Sequence, residues 1–337
     1  MSAPVPAIMR ACVITAPGGP EVLALRDVPR PRLGPDGVVV RVRASALNRA
    51  DLLQRMGRYP APPGAPTDIP GLEFAGEIAE VGAHVVGWEP GDRVFGIVGG
   101  GAHADYVAVH AGSLAPVPDG MPWPIAGATP EAFITAHDAL VTQGGLARGE
   151  RVLIHAIGSG VGLAATQLAR MLGAEVFGTA RSAAKLDAAR AHGMHEGVVP
   201  MDGARGIAEA VLAWSNEHGV DVVLDLVGGA YVAESLRCVA ARGRYLLVGL
   251  VAGTSTTIDL SRLLRHRIHL MGTVLRARSS EEKAEATAAF VRDVLPGLAT
   301  GALSPVLVAV VPLERIAEGH ARLEENATIG KIAVTMD

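Results

Sequence analysis

One short stretch of the sequence has the residue types of an anion-binding loop. It reads HAIGSGVG, from residue 155 to residue 162, and lies between the apolar run RVLIHA and the helical pattern VGLAATQLARML. The backbone N–H groups at a helix N-terminus point outward and, together with the helix dipole, attract a phosphate. The full G-x-G-x-x-G fingerprint would need glycine where Ile157 and Ser159 stand. Only Gly162 is in register, so the neighbouring elements have to support the interpretation.

We interpret this loop as the phosphate site of a dinucleotide. Ser159, Gly160 and Val161 would present backbone N–H groups to the phosphate, and Gly162 would let the helix pack closely against the strand. The alternative is that small residues merely fit a tight strand-to-helix turn. The loop opens the first of several strand–helix–strand units, which favours the cofactor.

The residues after the next strand indicate which dinucleotide is bound. The run EVFGTA (175–180) is followed by Arg181 and then by Lys185. An NAD site normally carries a carboxylate at this place, which would repel a 2′-phosphate, whereas a guanidinium and an ammonium attract one. We therefore predict NADPH as the cofactor. Ordinary solvated charges in the first turn of a helix are the alternative.

The segments around these residues alternate between strand and helix. Helical patterns at about 161–172, 182–192, 203–218 and from 230 onward separate apolar strand runs at 151–156, 175–180, 197–199, 221–227, 244–250 and 268–275. This spacing predicts an α/β fold with a Rossmann-type doubly wound parallel sheet. Up to about residue 124, short alternating runs such as VVVRVRA stand between loops rich in Pro and Gly, which predicts antiparallel β-structure.

The composition limits the class of protein and its partners. The chain has 337 residues, of which 49% are hydrophobic, so two domains are expected. A formal net charge of -4 without any Lys/Arg block argues against a nucleic-acid partner. Two cysteines exclude a disulfide framework. The sequence has neither a secretory leader pattern nor a long apolar run, so we predict a cytoplasmic protein without a membrane partner.

Several longer segments carry a resemblance to a known family. They are ALNRADLLQRMGRYPAPPG (46–64), IPGLEFAGEIAEVG (69–82), GDRVFGIVGGGAHADYV (91–107) and TPEAFITAHDAL (129–140), followed later by DVVLDLVGGAY, GRYLLVGL, GTVLRAR and IGKIAV. The chain resembles the zinc-free quinone oxidoreductase branch of the medium-chain dehydrogenase/reductase superfamily and is especially similar to the p53-inducible quinone oxidoreductase group. The resemblance implies a mainly β GroES-like catalytic domain (1–124 and 276–337), a Rossmann dinucleotide-binding domain (125–275) and a homodimer built through edge strands of the nucleotide domain.

The zinc ligands of the family's zinc-dependent relatives are missing here. Where those relatives carry a Cys and a Gly-His-Glu motif, this sequence has Asn48 and Gly71-Leu72-Glu73. Leu72 cannot bind zinc, and the four-cysteine lobe of the relatives is also missing. We therefore predict no metal, and we expect Glu73 to hold a local arginine or a backbone group. His103 and His155 are expected to be hydrogen-bonded or surface residues rather than ligands.

Hydride transfer to a conjugated acceptor needs no metal, because the acceptor delocalises the charge that it receives. The resemblance places the acceptor pocket in the cleft between the domains, beside residues 48–59. Asn48 is predicted to anchor the substrate carbonyl or the nicotinamide ribose, and Tyr59 to donate its phenolic O–H or to stack on a flat ring. A role in loop structure is the alternative for each. Asp51 is expected to cap a helix or to pair with Arg49 or Arg55.

Further positions are predicted to contact the dinucleotide. By resemblance, Phe133 and Thr135 lie near the nicotinamide, and Lys331 matches a Gly-Lys pair of the family. The ends of Rossmann strands supply the remaining contacts, which are Leu226 and Val227 at the adenine and ribose, and Gly249, Leu250, Val274 and Leu275 at the nicotinamide. For these positions a core or turn role is the alternative. Pro200 stands where several relatives have a tyrosine that holds the 2′-phosphate, so Arg181 and Lys185 carry the prediction of NADPH.

The predicted function is NADPH-dependent reduction of quinones or related conjugated carbonyls, with a quinone or enone as the small-molecule substrate. Two alternatives stay open. An enoyl reductase that acts on acyl thioesters shares the fold and the hydride chemistry. A nucleotide-sensing or RNA-binding relative with little turnover belongs to a different class, and the acidic net charge argues against RNA binding.

Overall fold

The computed structural model describes residues 5–336. The strands in chain order are β1 (Ile8–Ile14), β2 (Leu23–Pro29), β3 (Gly37–Ala46), β4 (Glu73–Val81), β5 (Arg93–Ile97), β6 (Tyr106–His110), β7 (Leu114–Pro116), β8 (Arg151–Ile154), β9 (Glu175–Thr179), β10 (Glu196–Val198), β11 (Val220–Asp225), β12 (Val239–Leu247), β13 (His269–Gly272), β14 (Leu307–Pro312) and β15 (Lys331–Thr335).

The α-helices in chain order are α1 (Arg49–Arg55), α2 (Trp123–Gly127), α3 (Pro130–His137), α4 (Gly160–Leu172), α5 (Ala183–Ala191), α6 (Ile207–Trp214), α7 (Ala230–Leu236), α8 (Leu260–His266), α9 (Ser280–Asp293), α10 (Leu295–Ala299) and α11 (Ile316–Glu324). A π-helical segment, Asp138–Gln143, continues directly from α3. Within residues 5–336, every helix is too short or too polar to span a bilayer.

The described residues form two compact units. The first contains the residues up to Ile134 and those from Leu275 onward, and the second is Thr135–Val274. The chain therefore leaves the first unit within α3 and returns to it shortly after β13. Residues 1–4 and 337, which the sequence assigned to the ends of the first domain, lie outside the described part of the chain.

The first unit is built around an antiparallel sheet. Its strand order is β14-β15-β3-β4-β5-β7, and β6 pairs with β3. Strand β3 (GVVVRVRASA) is buried along most of its length, because its Val and Ala side chains pack on both faces in a core that includes Val40, Phe74 and Ile332. The antiparallel prediction for this half is confirmed. The exception is the parallel pair β14–β15, whose connection is helix α11.

The second unit contains a six-stranded parallel sheet with the order β10-β9-β8-β11-β12-β13. Numbered from β8 as the first strand, this is the 3-2-1-4-5-6 order of a Rossmann fold, which confirms the predicted fold class. The order reverses between β8 and β11, and a Rossmann sheet binds its ligand at the carboxyl ends of the strands at such a point. Val152, Leu153 and Leu224 are fully buried in the two central strands.

Four predicted element ends differ from the structure, two of them in strands and two in one helix. Strand β12 ends at Leu247 rather than at residue 250, and β13 pairs with it only as far as Gly272 rather than residue 275. Helix α6 begins at Ile207 rather than at 203, because Gly206 has a φ of 90° that no helix accommodates. The same helix ends at Trp214, since two later residues of the predicted helix, Asn216 and Glu217, have φ angles of 51° and 64°.

Candidate functional site

The loop before α4 has the geometry of a helix N-terminus that can receive an anion. Ser159 is the N-cap of this 13-residue helix, and its Oγ accepts a hydrogen bond from the Gly162 N–H at 3.1 Å. Among the described residues, none accepts a hydrogen bond from the N–H of Gly160 or Val161. These two donors at the positive end of the helix dipole are therefore available to a phosphate.

The backbone N–H of Ser159 was predicted to face the phosphate, but it already has a partner in the chain. Its N–H donates to the Ala156 carbonyl at 2.9 Å, so it closes the turn instead of facing a ligand. Ala156 lies at a φ of 50° in this turn. The predicted close packing at Gly162 is observed, because a Cβ there would lie 2.6 Å from the carbonyl oxygens of Ala156 and Ile157. Glycine is required at this position.

Lys185 lies against this loop. Its side chain begins in the first turn of α5, and a Cβ on Gly158 would come within 2.8 Å of the Lys185 Cβ and 3.3 Å of its Cδ. Arg181 is exposed after β9. Although burial raises the pKa of Tyr231, the Arg181 guanidinium is close enough to oppose that rise. Both cationic residues therefore lie within the unit that contains the loop, one of them in contact with it.

His155 supports the loop from inside the second unit. It is fully buried, and its two ring nitrogens bond to the hydroxyls of Thr179, at 2.9 Å, and Ser235, at 2.8 Å. Burial lowers its pKa, so the ring is neutral at neutral pH. The Tyr231 ring packs edge-on against the imidazole with centroids 5.0 Å apart. Of the two roles expected for His155, at the surface or hydrogen-bonded in the core, the structure shows the second.

Asp225, which the sequence analysis missed, organises the next strand end. Its buried carboxylate accepts hydrogen bonds from the N–H groups of Val227 (2.8 Å) and Gly228 (2.9 Å) and from the Tyr245 hydroxyl (2.7 Å). Its backbone carbonyl accepts from the Gly249 N–H at 3.1 Å. Burial and the Asp225 charge together raise the pKa of Tyr245 well above its usual value. An acidic residue that ends an apolar strand was the signal for this role.

The structure brings four predicted dinucleotide contacts together at this strand end. A Cβ on Gly249 would lie 2.5 Å from the Leu226 carbonyl oxygen, so the turns after β11 and β12 touch each other. Val227 is partly buried beside them, and Leu250 is 50% exposed. This cluster lies at the carboxyl edge of the sheet, where a Rossmann unit binds its ligand.

The remaining predicted contacts are spread over the two units. Thr135, in the second unit, has a buried Oγ1 without a hydrogen-bond partner in residues 5–336. Val274 is 46% exposed at the end of the same unit. Phe133 and Leu275 are buried in the first unit. Leu275 does not close the last Rossmann strand, because β13 ends at Gly272.

In the first unit, three predicted residues meet in one buried polar cluster. The Glu73 carboxylate is fully buried and accepts hydrogen bonds from Lys331 Nζ, from Asn48 Nδ2 at 2.9 Å and from the Glu131 backbone N–H at 2.9 Å. Glu73 thus holds a backbone group, as expected, but its charged partner is a lysine rather than an arginine. Lys331 is only 4% exposed, so it is an internal ion-pair partner and not a solvated lysine.

Asn48 is largely occupied by this cluster. Its Nδ2 group donates both to the Ala46 carbonyl at 3.2 Å and to Glu73, while its Oδ1 accepts from Lys331 Nζ at 2.7 Å. Because both amide hydrogens have partners, Asn48 has no hydrogen left for an acceptor carbonyl in this arrangement. Its Oδ1 keeps one lone pair that can accept a hydroxyl.

Asp51 caps α1, which is one of the two roles expected for it. One carboxylate oxygen accepts from the Asn48 N–H at 2.7 Å and the other from the Gly71 N–H at 2.9 Å. His103 Nε2 lies 3.7 Å from the same carboxylate, and His103 Nδ1 bonds to the Ser45 hydroxyl at 2.8 Å. Burial raises the pKa of Asp51, but its hydrogen bonds and the neighbouring histidines outweigh burial and lower it overall.

Tyr59 is positioned by Arg276, a second residue that the sequence analysis missed. The guanidinium carbon lies 4.8 Å from the centre of the Tyr59 ring, and the guanidinium donates to the carbonyls of Gly99 (2.8 Å) and Tyr59 (3.4 Å) and to the Gln54 side chain. The aromatic ring is therefore held by a cation on its face. Burial raises the pKa of the phenol, which keeps its O–H available as a donor.

Two family models match the chain. Residues 34–119 match "Alcohol dehydrogenase GroES-like domain" and residues 160–292 match "Zinc-binding dehydrogenase". The quinone oxidoreductase of Pseudomonas aeruginosa is 38% identical over 247 residues, which cover 73% of this chain and 75% of that protein. The chain belongs to the medium-chain dehydrogenase/reductase superfamily. It has quinone oxidoreductases among its relatives, and both the superfamily and the two-domain fold class inferred from the sequence are confirmed.

Solved structures of superfamily members have the same fold. Mycobacterial Rv1454c complexed with NADPH matches with a TM-score of 0.85 and 28% identity over 97% of this chain and 100% of that one. Among the curated relatives, spectinabilin polyketide synthase system protein NorB of Streptomyces orinoci is 39% identical over 311 residues. These residues are 90% of this chain but 13% of NorB. The chain spans between 5% and 16% of the first four relatives, which are polyketide synthases.

One of the two matching family models is named for zinc binding, so the potential metal ligands of this chain are of interest. Residues 5–336 contain no group of three or more His, Cys, Asp or Glu side chains arranged to hold a metal ion. Position 72 is a buried leucine, whose side chain has no atom that binds a metal.

Proposed function

We propose that this oxidoreductase reduces quinones and related conjugated carbonyl compounds with NADPH. The observation that carries the proposal is the loop before α4, which has two unpaired N–H groups at a helix N-terminus. The Lys185 side chain contacts Gly158 of this loop, and Arg181 lies in the same unit. Backbone donors and a nearby ammonium suit a nucleotide that carries an extra phosphate. The relatives that are quinone oxidoreductases and the solved neighbour complexed with NADPH support the same assignment.

The second unit has further features that fit a nicotinamide dinucleotide. The buried, unpartnered Oγ1 of Thr135 is a polar atom that a ligand amide or hydroxyl would satisfy. Asp225 fixes the turn that carries Leu226 and Val227, so that an apolar surface is available beside Gly249 and Leu250. When bound, the reduced cofactor supplies a hydride to an electron-poor acceptor. The chain's residues hold the phosphates, present the apolar surface and offer hydrogen bonds.

The first unit contributes the groups for the acceptor. The Tyr59 ring is held on the Arg276 guanidinium and is suited to stack on a flat conjugated molecule. Its phenolic O–H can donate to the oxygen of such a molecule. Asn48 Oδ1 is left to accept a hydroxyl, and Lys331 contributes by holding Asn48 in place.

Binding of NADPH and NADH by two cation variants tests the cofactor assignment. We expect Arg181→Ala and Lys185→Ala each to raise the Kd for NADPH about 10-fold or more, which corresponds to about 1.4 kcal/mol, and to leave the Kd for NADH unchanged. Arg190→Ala on the same helix α5 is the matched control, because Arg190 is exposed and pairs with Asp187. Equal affinities for the two nucleotides in the wild type, unaffected by either variant, would show that no 2′-phosphate site exists.

A panel of acceptors separates the proposed reaction from its main alternative. We expect NADPH oxidation with 9,10-phenanthrenequinone and with 1,4-quinones, and slower turnover with enoyl thioesters. The similarity to polyketide synthases such as NorB favours the alternative, an enoyl reductase that acts on acyl thioesters, and faster turnover of thioesters would establish it. Tight NADPH binding without turnover of any acceptor would instead favour a nucleotide sensor.

We also propose a homodimer formed through the outer edge of the Rossmann sheet. Strand β13 is an edge strand, so its outer backbone groups are free to pair with another strand. Leu270 on this strand is 40% exposed, and Leu260 and Leu264 on α8 are 68% and 79% exposed. Light scattering should give twice the chain mass, and Leu264→Glu should shift the protein toward the monomer. A wild-type monomer at micromolar concentration would refute this assembly.

A further inference from the structure

The carboxyl group of Glu131 differs from those of Glu73 and Asp51, the two buried acids near it. Its backbone N–H is bonded to Glu73 at 2.9 Å, so the start of α3 is attached to the buried polar cluster. Its side chain is partly buried. Yet no residue of the described chain donates a hydrogen bond to this carboxyl, and no cation forms an ion pair with it.

Charged groups from several elements influence this carboxyl. The acids lie on β4 and α1, and the cations lie on β15, on α9 and in the segment after β13. A tyrosine after α1 also interacts with this carboxyl. These groups are Glu73, Asp51, Lys331, Lys283, Arg276 and Tyr59. The Glu131 carboxyl is thus close enough to Tyr59, the tyrosine proposed to contact the acceptor, to add to the rise that burial causes in the pKa of its phenol.

The surroundings favour the protonated form of Glu131. Burial is the largest effect and the charge of Glu73 is the next, and together they raise the pKa of Glu131 to about 7. The two neighbouring acids are already used as acceptors, because Glu73 receives three hydrogen bonds and Asp51 receives two from backbone N–H groups. Glu131 is the carboxyl of this group that has a proton to give.

We propose that Glu131 is a catalytic acid that protonates the reduced acceptor. The inference rests on the proposed function, since it needs an acceptor that becomes an anion. A hydride brings two electrons and one proton to the quinone and leaves the monoanion of the hydroquinone. The O–H bond of Glu131 then breaks, a new O–H bond forms on the oxyanion, and Glu131 remains as a carboxylate. Solvent returns one proton to it before the next turnover, so the cycle consumes one hydride and one proton.

The direction of the proton transfer agrees with the acidities. A phenol ordinarily has a pKa of about 10, so a carboxylic acid with a pKa of about 7 donates to a phenolate favourably. Such an acid can exist in both its protonated and its ionised form near neutral pH. A general acid is most effective when its pKa lies near the working pH.

Steady-state kinetics with NADPH and 9,10-phenanthrenequinone test this role. In the wild type, kcat should fall as the pH rises through about 7, because the protonated form is the active one. We expect Glu131→Gln to lower kcat at pH 6 by about 100-fold, to lack this pH dependence and to leave the Kd for NADPH unchanged. Glu131→Asp keeps an acid and should retain a pH-dependent kcat. Glu281→Gln is the matched control, since Glu281 lies on the exposed first turn of α9.

A substituent series separates proton donation from a structural role. Quinones with electron-withdrawing groups give more acidic hydroquinones, which need less help from an acid. The loss of kcat in Glu131→Gln should therefore shrink along such a series. A uniform loss across the series would overturn the proposal.

Urea unfolding provides a readout that does not depend on activity. A carboxyl whose folded pKa is raised from 4.5 to about 7 makes the folded state less stable as the pH rises between these values. Relative to Glu131→Gln, the wild type should lose urea resistance between pH 5 and pH 8. A constant difference over this range would overturn the assignment of the proton to Glu131. Wild-type protein that reduces no acceptor would instead refute the proposed function, whereas an active Glu131→Gln variant with a wild-type pH profile would refute this inference alone.

Discussion

Replacing Lys331 by Met removes the ammonium from a buried carboxylate and changes little else. Glu73 is fully buried and Lys331 is 4% exposed, so the variant leaves a negative charge inside the first unit with only Asn48 and the Glu131 N–H as donors. Breaking a buried ion pair from one side costs about 3–5 kcal/mol, because the remaining charge has lost its partner. Met has a similar length and no charge, which keeps the cavity contribution small.

Glu73→Gln and the double variant Glu73→Gln/Lys331→Met complete a double-mutant cycle with Lys331→Met. Glu73→Gln leaves the Lys331 ammonium buried and should destabilise the unit by a similar amount. The double variant removes both charges and should therefore cost much less than the sum of the two single variants, with a coupling energy of about 3 kcal/mol. Arg315→Met is the control, because Arg315 lies in the same unit and its pair with Glu318 has side chains that are 63% and 58% exposed. Such exposed pairs contribute at most about 1 kcal/mol.

Urea unfolding followed by tryptophan fluorescence measures these free energies in the correct unit. Trp88 and Trp123 lie in the first unit and Trp214 in the second. A Trp214→Phe background therefore restricts the signal to the first unit, which matters because a chain of two units need not unfold in one step. Single variants that each cost less than 1 kcal/mol and add without coupling would refute the account of the Glu73 cluster.

Two further predictions concern buried groups. Tyr245→Phe removes the hydroxyl that donates to Asp225 at 2.7 Å, so the free energy of unfolding of the second unit should fall by about 1–3 kcal/mol. Trp214 fluorescence in urea measures this change, and an unchanged midpoint would contradict the role given to Asp225. Burial raises the pKa of the Cys12 and Cys238 thiols to about 12. At pH 8, iodoacetamide should therefore label neither thiol in the native protein and both in urea, as measured by mass spectrometry. Labelling of the native protein would count against this burial.

The sequence predicted the Rossmann unit well because its information is local. Apolar runs of strand length recur between helical patterns, and a parallel sheet follows from that spacing. The ends of the elements were less predictable. Some depend on a single residue such as Gly206, whose φ of 90° becomes evident only when the chain is folded. Others depend on pairing with a neighbouring strand, as when β13 pairs with β12 only up to Leu247, where β12 ends.

The polar clusters of the first unit could not be predicted in the same way. Lys331 and Glu73 are 258 positions apart in the sequence, and Arg276 and Gln54 are 222 apart. A lysine or an arginine in isolation looks like a surface residue, because most are exposed. What decides its role is the carboxylate or carbonyl that the fold brings to it, and no local pattern encodes that partner. Glu131 was overlooked for the same reason, since its environment is made by β4, α1 and β15 together.

The charges of the first unit explain why one of its acids is set apart. Glu73 pairs with the ammonium of Lys331, and two N–H groups and a nearby histidine lower the pKa of Asp51. A third carboxylate beside these two would add repulsion without adding a donor. A proton on Glu131 removes that repulsion. The structure therefore keeps a transferable proton near Tyr59 as a consequence of stabilising two other charges.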